Sequence, residues 1–143
     1  MTGVNRGAPI LALIDLEHPD AAETLARTAV AEAGTAPLHL CYVLPYGNYS
    51  YVGAFIPQET VKQAGQRAHD AMDALVDRLG APTPPTIHIL RGGVGEQAVM
   101  LAESIHAGLI MLNAKRPDAQ AHGLGPHAAQ IMRHAHCSVV VIR

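Results

Sequence analysis

Apolar and polar positions along this chain fall into five short apolar runs separated by four stretches of helical periodicity. The first run, "PILALID" (9–15), does not alternate with polar residues and predicts a strand buried on both faces. Pro19 and Asp20 open a helix over 19–34, with Ala22, Leu25, Ala26, Ala29, Val30 and Ala33 at helical spacing and Gly34 as its stop. "LHLCYV" (38–43) is the second strand. The irregular stretch 44–58 leads to a long helix over 59–79, striped with Val61, Ala64, Ala68, Met72, Leu75, Val76 and Leu79. Gly80 and "APTPP" end it.

"TIHIL" (86–90) is the third strand. "RGGVGE" (91–96) turns into a third helix, with Val99, Ala102 and Ile105 expected on its inward face. "GLIML" (108–112) is the fourth strand, a loop from Asn113 leads to a helix over 126–134, and "SVVVIR" closes the chain as the fifth strand. Helical connections between apolar strands force parallel pairing with right-handed crossovers. The expected architecture is a doubly wound, Rossmann-like α/β fold, a five-stranded parallel sheet with helices on both faces. In such folds ligands bind beyond the carboxyl ends of the strands, where the strand order switches. Asp15, the loop after Val43 and the loop from Asn113 to Gly125 are expected to gather there.

The chain has 143 residues, which predicts a single domain over 1–143 with a core that needs no metal or disulfide. No apolar run is long enough to span a bilayer, and the N-terminal apolar run is too short for a signal-peptide core, so a cytoplasmic protein is expected. A net charge of −2 with scattered basic residues gives no footprint for nucleic acid. Cys41 and Cys137 lie far apart, outside any CxxC, and read as buried thiols.

"AHGLGPHAAQ" (121–130) looks like a phosphate cradle: glycines at a bend, then a helix start. A helix start binds phosphate through its unpaired N–H groups and positive dipole end. Gly125 and the amides of His127 and Ala128 suit that role, but Pro126 offers neither an N–H nor a hydroxyl. Lys115 and Arg116 could supply charge from side chains instead. A capped helix with a glycine-rich approach is the favoured reading. Of nine histidines, His122, His127, His134 and His136 crowd the C-terminal part, yet none sits at ligand spacing with a Cys or carboxylate, so no metal site is expected. No nucleophile lies in a recognisable elbow, and Asp15 with Asp118 does not by itself make a catalytic pair, so no catalysis is expected.

Tyr46, Tyr49, Tyr51 and Phe55 cluster in the irregular stretch, either over the crevice, against a partner, or covering a gap in the core. The last strand carries Val139, Val140, Val141 and Ile142 at an expected sheet edge with no charge, Pro or bulge before Arg143. Antiparallel pairing with a second copy removes that liability, so a homodimer through this strand is expected.

The element order, "ILALID" at the start and "RHAHCSVVVIR" at the end resemble the universal stress protein (UspA-like) family over essentially the whole chain. The ending looks like the family's Arg-His-Ala-x-Cys-x-Val. The resemblance implies strand order 3-2-1-4-5, a homodimer through the last strand, a role in stress response and, in some members, ATP binding. It implies a strand-one Asp, matched by Asp15, and an adenine contact at the start of strand two, where Leu38 falls. It also implies Gly-x-x-Gly, nine residues, then Gly-Ser or Gly-Thr before the last helix. Here Asn113 and Arg116 fall near the first glycines, and the final pair is Gly125–Pro126. The expected function is therefore a dimeric regulatory or protective binding module with a degenerate nucleotide site and no cofactor. The alternative is an ATP- or AMP-binding member using Asp15, Leu38, Asn113, Lys115, Gly123, Gly125, His127 and Ala128.

Overall fold

The computed structural model describes residues 7–44, 58–114 and 125–143, with the side chains of 58–60 excepted. Among the described residues nine elements alternate: β1 (Ile10–Leu13), α1 (Pro19–Ala33), β2 (Leu38–Leu44), α2 (Gln58–Leu79), β3 (Thr86–Arg91), α3 (Val94–Ser104), β4 (Leu109–Asn113), α4 (Pro126–His134) and β5 (Ser138–Ile142). All five strands are parallel, in the order β3-β2-β1-β4-β5.

The expected elements are present, with shifts at their ends that have local causes. β1 is shorter than its apolar run because the chain bends at Asp15, although the Ile14 N–H still donates to the Cys41 carbonyl at 2.8 Å. α1 starts with Pro19 in its first turn and stops at Gly34, whose φ of 59° lies in the left-handed region that glycine enters without strain. "RGGVGE" forms a tight strand-to-helix turn, in which Gly92 has φ 125° and Gly93 precedes the first residue of α3.

Two apolar cores flank the sheet. On one face, Ile10, Ala12, Ile14, Leu38, Leu40, Leu109 and Met111 meet Leu25, Ala26 and Ala29 of α1 and Met72 and Leu75 of α2. On the other, Leu11, Cys41, Val43, Ile110 and Leu112 meet Ala98 and Ala102 of α3 and Ala128 and Ile131 of α4. The inward face of α3 differs from the expected one: Gly95, Ala98 and Ala102 are buried, whereas Val99 and Ile105 are half-buried at its flanks. Small residues let this helix lie close to its neighbours, and the larger ones fill in around the contact. Among the described residues no helix is long and apolar enough to cross a membrane.

Candidate functional site

The strand order reverses between β1 and β4, so the crevice of this sheet opens above their carboxyl ends. Asp15 stands two residues beyond the end of β1 and is half-buried. Its side chain organises the turn that follows. Oδ1 accepts the Glu17 N–H at 3.0 Å, Oδ2 lies 3.0 Å from His18 Nδ1, and the Asp15 carbonyl accepts the His18 N–H at 3.1 Å. The carboxylate thus serves the loop that enters α1, as strand-ending Asp residues commonly do.

Asn113 ends β4, in register with Ile142 of β5. The next residue ties the crevice together: Ala114 donates its N–H to the Ile142 carbonyl at 2.8 Å and accepts the Gly125 N–H at 2.8 Å. The two ends of the connection between β4 and α4 therefore meet at one hydrogen bond. Lys115 and Gly123, with Arg116, Asp118 and His122, lie outside the described residues, as do Tyr46, Tyr49, Tyr51 and Phe55.

α4 begins with Gly125 in extended backbone (φ −70°, ψ 165°) and Pro126 in its first turn, with no side-chain cap and no acidic residue in that turn. Of the N–H groups that a helix start turns outward, Gly125's is given to Ala114 and Pro126 has none. The amides of His127 and Ala128 remain; His127 is exposed and Ala128 is buried beneath the helix. The cradle is thus half as well supplied with backbone donors as its glycines suggest.

Leu38 requires a correction. It pairs with Ile10 at the amino end of β1, whereas the carboxyl end pairs Leu13 with Cys41. Five residues separate the Ile10 level from Asp15, roughly 16 Å at about 3.3 Å per residue. Leu38 is also buried in the core under α1 and α2. It therefore sits at the opposite end of the sheet from Asp15 and takes no part in the crevice. The β2 residue that reaches the level of Asp15 is Val43, only 3% exposed, on the side of α3 and α4. The sign that nominates Asp15, a place at the carboxyl end of a parallel strand, applies equally to Val43.

Elsewhere, ionisable groups occupy local roles. Burial pushes the Cys41 thiol up to about 12, which suits an inert core sulfur. Cys137 is half-buried and is also shifted upward by burial. Among the described residues the cluster with metal-ligand spacing is His69, Asp70 and Asp73, all exposed on α2. There His69 pairs with Asp73 at 3.1 Å and Asp70 accepts from Gln66 at 2.9 Å, an ordinary solvated helix face. His136 reaches Glu103 at 2.9 Å, which links the end of α4 to α3.

A doubly wound domain with its crevice at the β1–β4 switch, an Asp beyond β1 and a glycine-rich helix start after β4 is the class of protein that these features define. Residues 8–143 match the universal stress protein family, and the chain belongs to it. It is similar to universal stress protein G of Shigella flexneri, 27% identical over 135 residues that cover 92% of this chain and 93% of that protein. It is also similar to the structure of the universal stress protein UspA from Lactobacillus plantarum, with a TM-score of 0.77, 24% identity and 97% and 99% of the two chains covered. The universal stress protein from Archaeoglobus fulgidus in complex with dAMP superposes with a TM-score of 0.68, at 21% identity over 97% and 100% of the chains.

Proposed function

We propose that this protein is a cytoplasmic stress-response protein, acting as a dimeric regulatory or protective binding module with a degenerate nucleotide site and no catalytic activity. The observation that carries this reading is the start of α4. The Gly125 amide is spent on the Ala114 carbonyl and Pro126 contributes none, which leaves the amides of His127 and Ala128. A hydrogen bond to a charged group contributes about 1.5–3 kcal/mol, so each phosphate donor withdrawn weakens binding about tenfold to a hundredfold. Asp15 supports the same reading, since both its oxygens already hold the turn into α1.

Dimer formation rests on β5, an edge strand in which Val139 and Val141 pack inward while Val140 is 37% exposed. A second copy paired along Val139, Val140, Val141 and Ile142 covers both the apolar face and the open backbone edge. Light scattering at micromolar concentration is expected to give twice the chain mass; a monomer there overturns this part.

A second reading, ATP or AMP binding, is favoured by the Archaeoglobus fulgidus relative solved with dAMP and by the position of Asp15 at the crevice. Calorimetry with ATP and AMP separates the two. The proposed reading expects no micromolar binding by the native protein and new or stronger binding after Pro126→Ser, which restores a donor amide and a hydroxyl at the helix start. Micromolar ATP affinity that is abolished by Asp15→Ala would establish the second reading instead.

A further inference from the structure

His39 on β2 and His88 on β3 lie at the sheet edge, well below the crevice. The register pairs His39 with Thr86 and Cys41 with His88, so the two imidazoles are diagonal neighbours across the strand pair. Both are half-buried. His39 Nδ1 and His88 Nε2 are 2.9 Å apart, the ring centroids are 5.1 Å apart, and the ring planes are inclined by 22°. The difference between the two distances is about two imidazole radii. The rings therefore meet end to end, each nitrogen pointing at the other.

That geometry discriminates between the two kinds of guest an imidazole pair can hold. A metal ion on this line, about 2.0–2.1 Å from each nitrogen, would force the nitrogens roughly 4 Å apart. Chelation also needs lone pairs that converge, and these oppose. A proton fits the observed separation without movement.

We propose that His39 and His88 form a shared-proton latch across the β2–β3 edge, which holds the edge strand while the pair carries at most one extra proton and releases it when a second one binds. With both rings neutral, one facing nitrogen carries a hydrogen and the other accepts it. The first added proton goes to the outward nitrogen of the donating ring, and the bond becomes charge-assisted. The second must go to the accepting nitrogen itself. Two N–H groups then point at one another, and the bond breaks between two positive rings.

Of the described residues Cys41, Glu96, Glu103 and His106, none carries a free negative charge placed to offset that repulsion. Burial disfavours the charged form of both rings, and His88 is lowered further by the charge of His39. Cys41, two residues along β2 from His39, stays a neutral thiol. On α3, the helix packed over this face, Glu103 is engaged with His136, and Glu96 folds back against Gly93 at the start of its own helix. His106, the remaining ionisable group of that segment, is exposed just beyond the helix end. The sign follows from linkage. Both folded values lie below the ordinary histidine value near 6.5, so the unfolded chain binds more protons in the window beneath it. The stabilisation is complete above that value and is lost as the pH falls through the folded values. Among the described strands β3 pairs with β2 alone, so the loss falls on the edge strand first.

Carbon-resolved NMR of the histidine ε1 protons in the full chain tests the latch. The wild-type pair is expected to titrate in two separated steps, the second well below the ordinary value. His39→Gln and His88→Gln are each expected to leave the remaining ring with one step. Hydrogen exchange supplies a readout that needs no variant. Corrected for intrinsic rates, the β3 amides of His88 and Leu90, which face β2, should lose several-fold more protection than the β1 amides of Leu11 and Ala12 as the pH falls from 7 to 5. Both rings titrating together in a single step, or β3 protection that tracks β1 throughout, overturns the latch.

Discussion

The two helix layers that sandwich the sheet differ in how much large side-chain volume they bury. The layer of α1 and α2 buries three large side chains, Leu25, Met72 and Leu75, among the small residues Ala22, Ala26, Ala29 and Ala68. The layer of α3 and α4 meets the sheet with Ala98, Ala102 and Ala128, with Gly95 at the contact between the two helices, and Ile131 is its one large, fully buried member. In the first layer large side chains fill volume between the small ones; in the second small residues predominate at the contact. The helix that begins at the crevice, α4, belongs to the second layer. Its position relative to the strand ends therefore depends on smallness being kept, and a change of size should act in opposite senses on the two faces.

The largest expected effect is on the volume-filled side. Leu25→Ala removes a side chain with no solvent exposure from the middle of the α1 face and should destabilise the protein by about 2–5 kcal/mol, the range for buried Leu truncations that leave a cavity. Urea unfolding measures it. A loss below about 1 kcal/mol would mean that α1 collapses into the space and that this layer, too, is held by close approach.

A smaller loss, from a change of size in the opposite direction, is expected on the other side. A Cβ at Gly95 would lie 2.5 Å from Gln130 Oε1 and 2.7 Å from Gln130 Cδ, across the α3–α4 contact. Gly95→Leu should therefore destabilise by about 1–3 kcal/mol through overpacking. The obstruction is the end of a flexible, exposed side chain, so Gln130→Ala should be nearly neutral alone and should recover part of the loss in the double variant. Strict additivity of the two changes would show that the crowding comes from the helix backbones and not from Gln130.

Legibility in the sequence followed the same division. The strands and the large-residue stripes of α1 and α2 were readable because apolar runs and helical spacing record which residues fill volume. On α3 the pattern finds Val99, Ala102 and Ile105, which all pack on the core, but not Gly95 and Ala98, the small buried residues that a hydrophobic pattern weights least. At the crevice, Asp15 was legible as the residue ending a strand. Leu38 was not a sound choice, since the parallel register that places it beside Ile10 is a property of two strands together. Pro126 announced one lost donor in the sequence; the loss of the second required seeing the Gly125 amide on Ala114. The His39–His88 pair was invisible for the same reason as the register, since the two rings stand 49 positions apart.

The smallest expected effect sharpens the comparison by asking whether charge adds anything to the volume-filled layer. Glu23 on α1 accepts from Arg78 Nε of α2 at 2.7 Å and from Arg27 at 3.1 Å, and Arg27 Nη2 also donates to the Arg78 carbonyl at 3.3 Å. The hydrogen bond from Arg78 first, then that from Arg27, holds the Glu23 carboxyl below its ordinary value of 4.5. Because the folded value is depressed, the contribution is present above that ordinary value and is lost as the pH falls through the folded one. The carboxylate is solvent-exposed, so side-chain ordering and screening offset most of the attraction. Glu23→Gln should therefore lower the melting temperature only slightly at neutral pH and low salt. The gap between variant and wild type should close both on acidification below the ordinary value and in about 0.5 M salt, where the Debye length has shrunk to a few ångströms. A gap that survives both would mean that charge is not its source and that the acceptor geometry toward Arg78 and Arg27 carries it, since Gln keeps the shape of Glu but replaces one accepting oxygen with a donor.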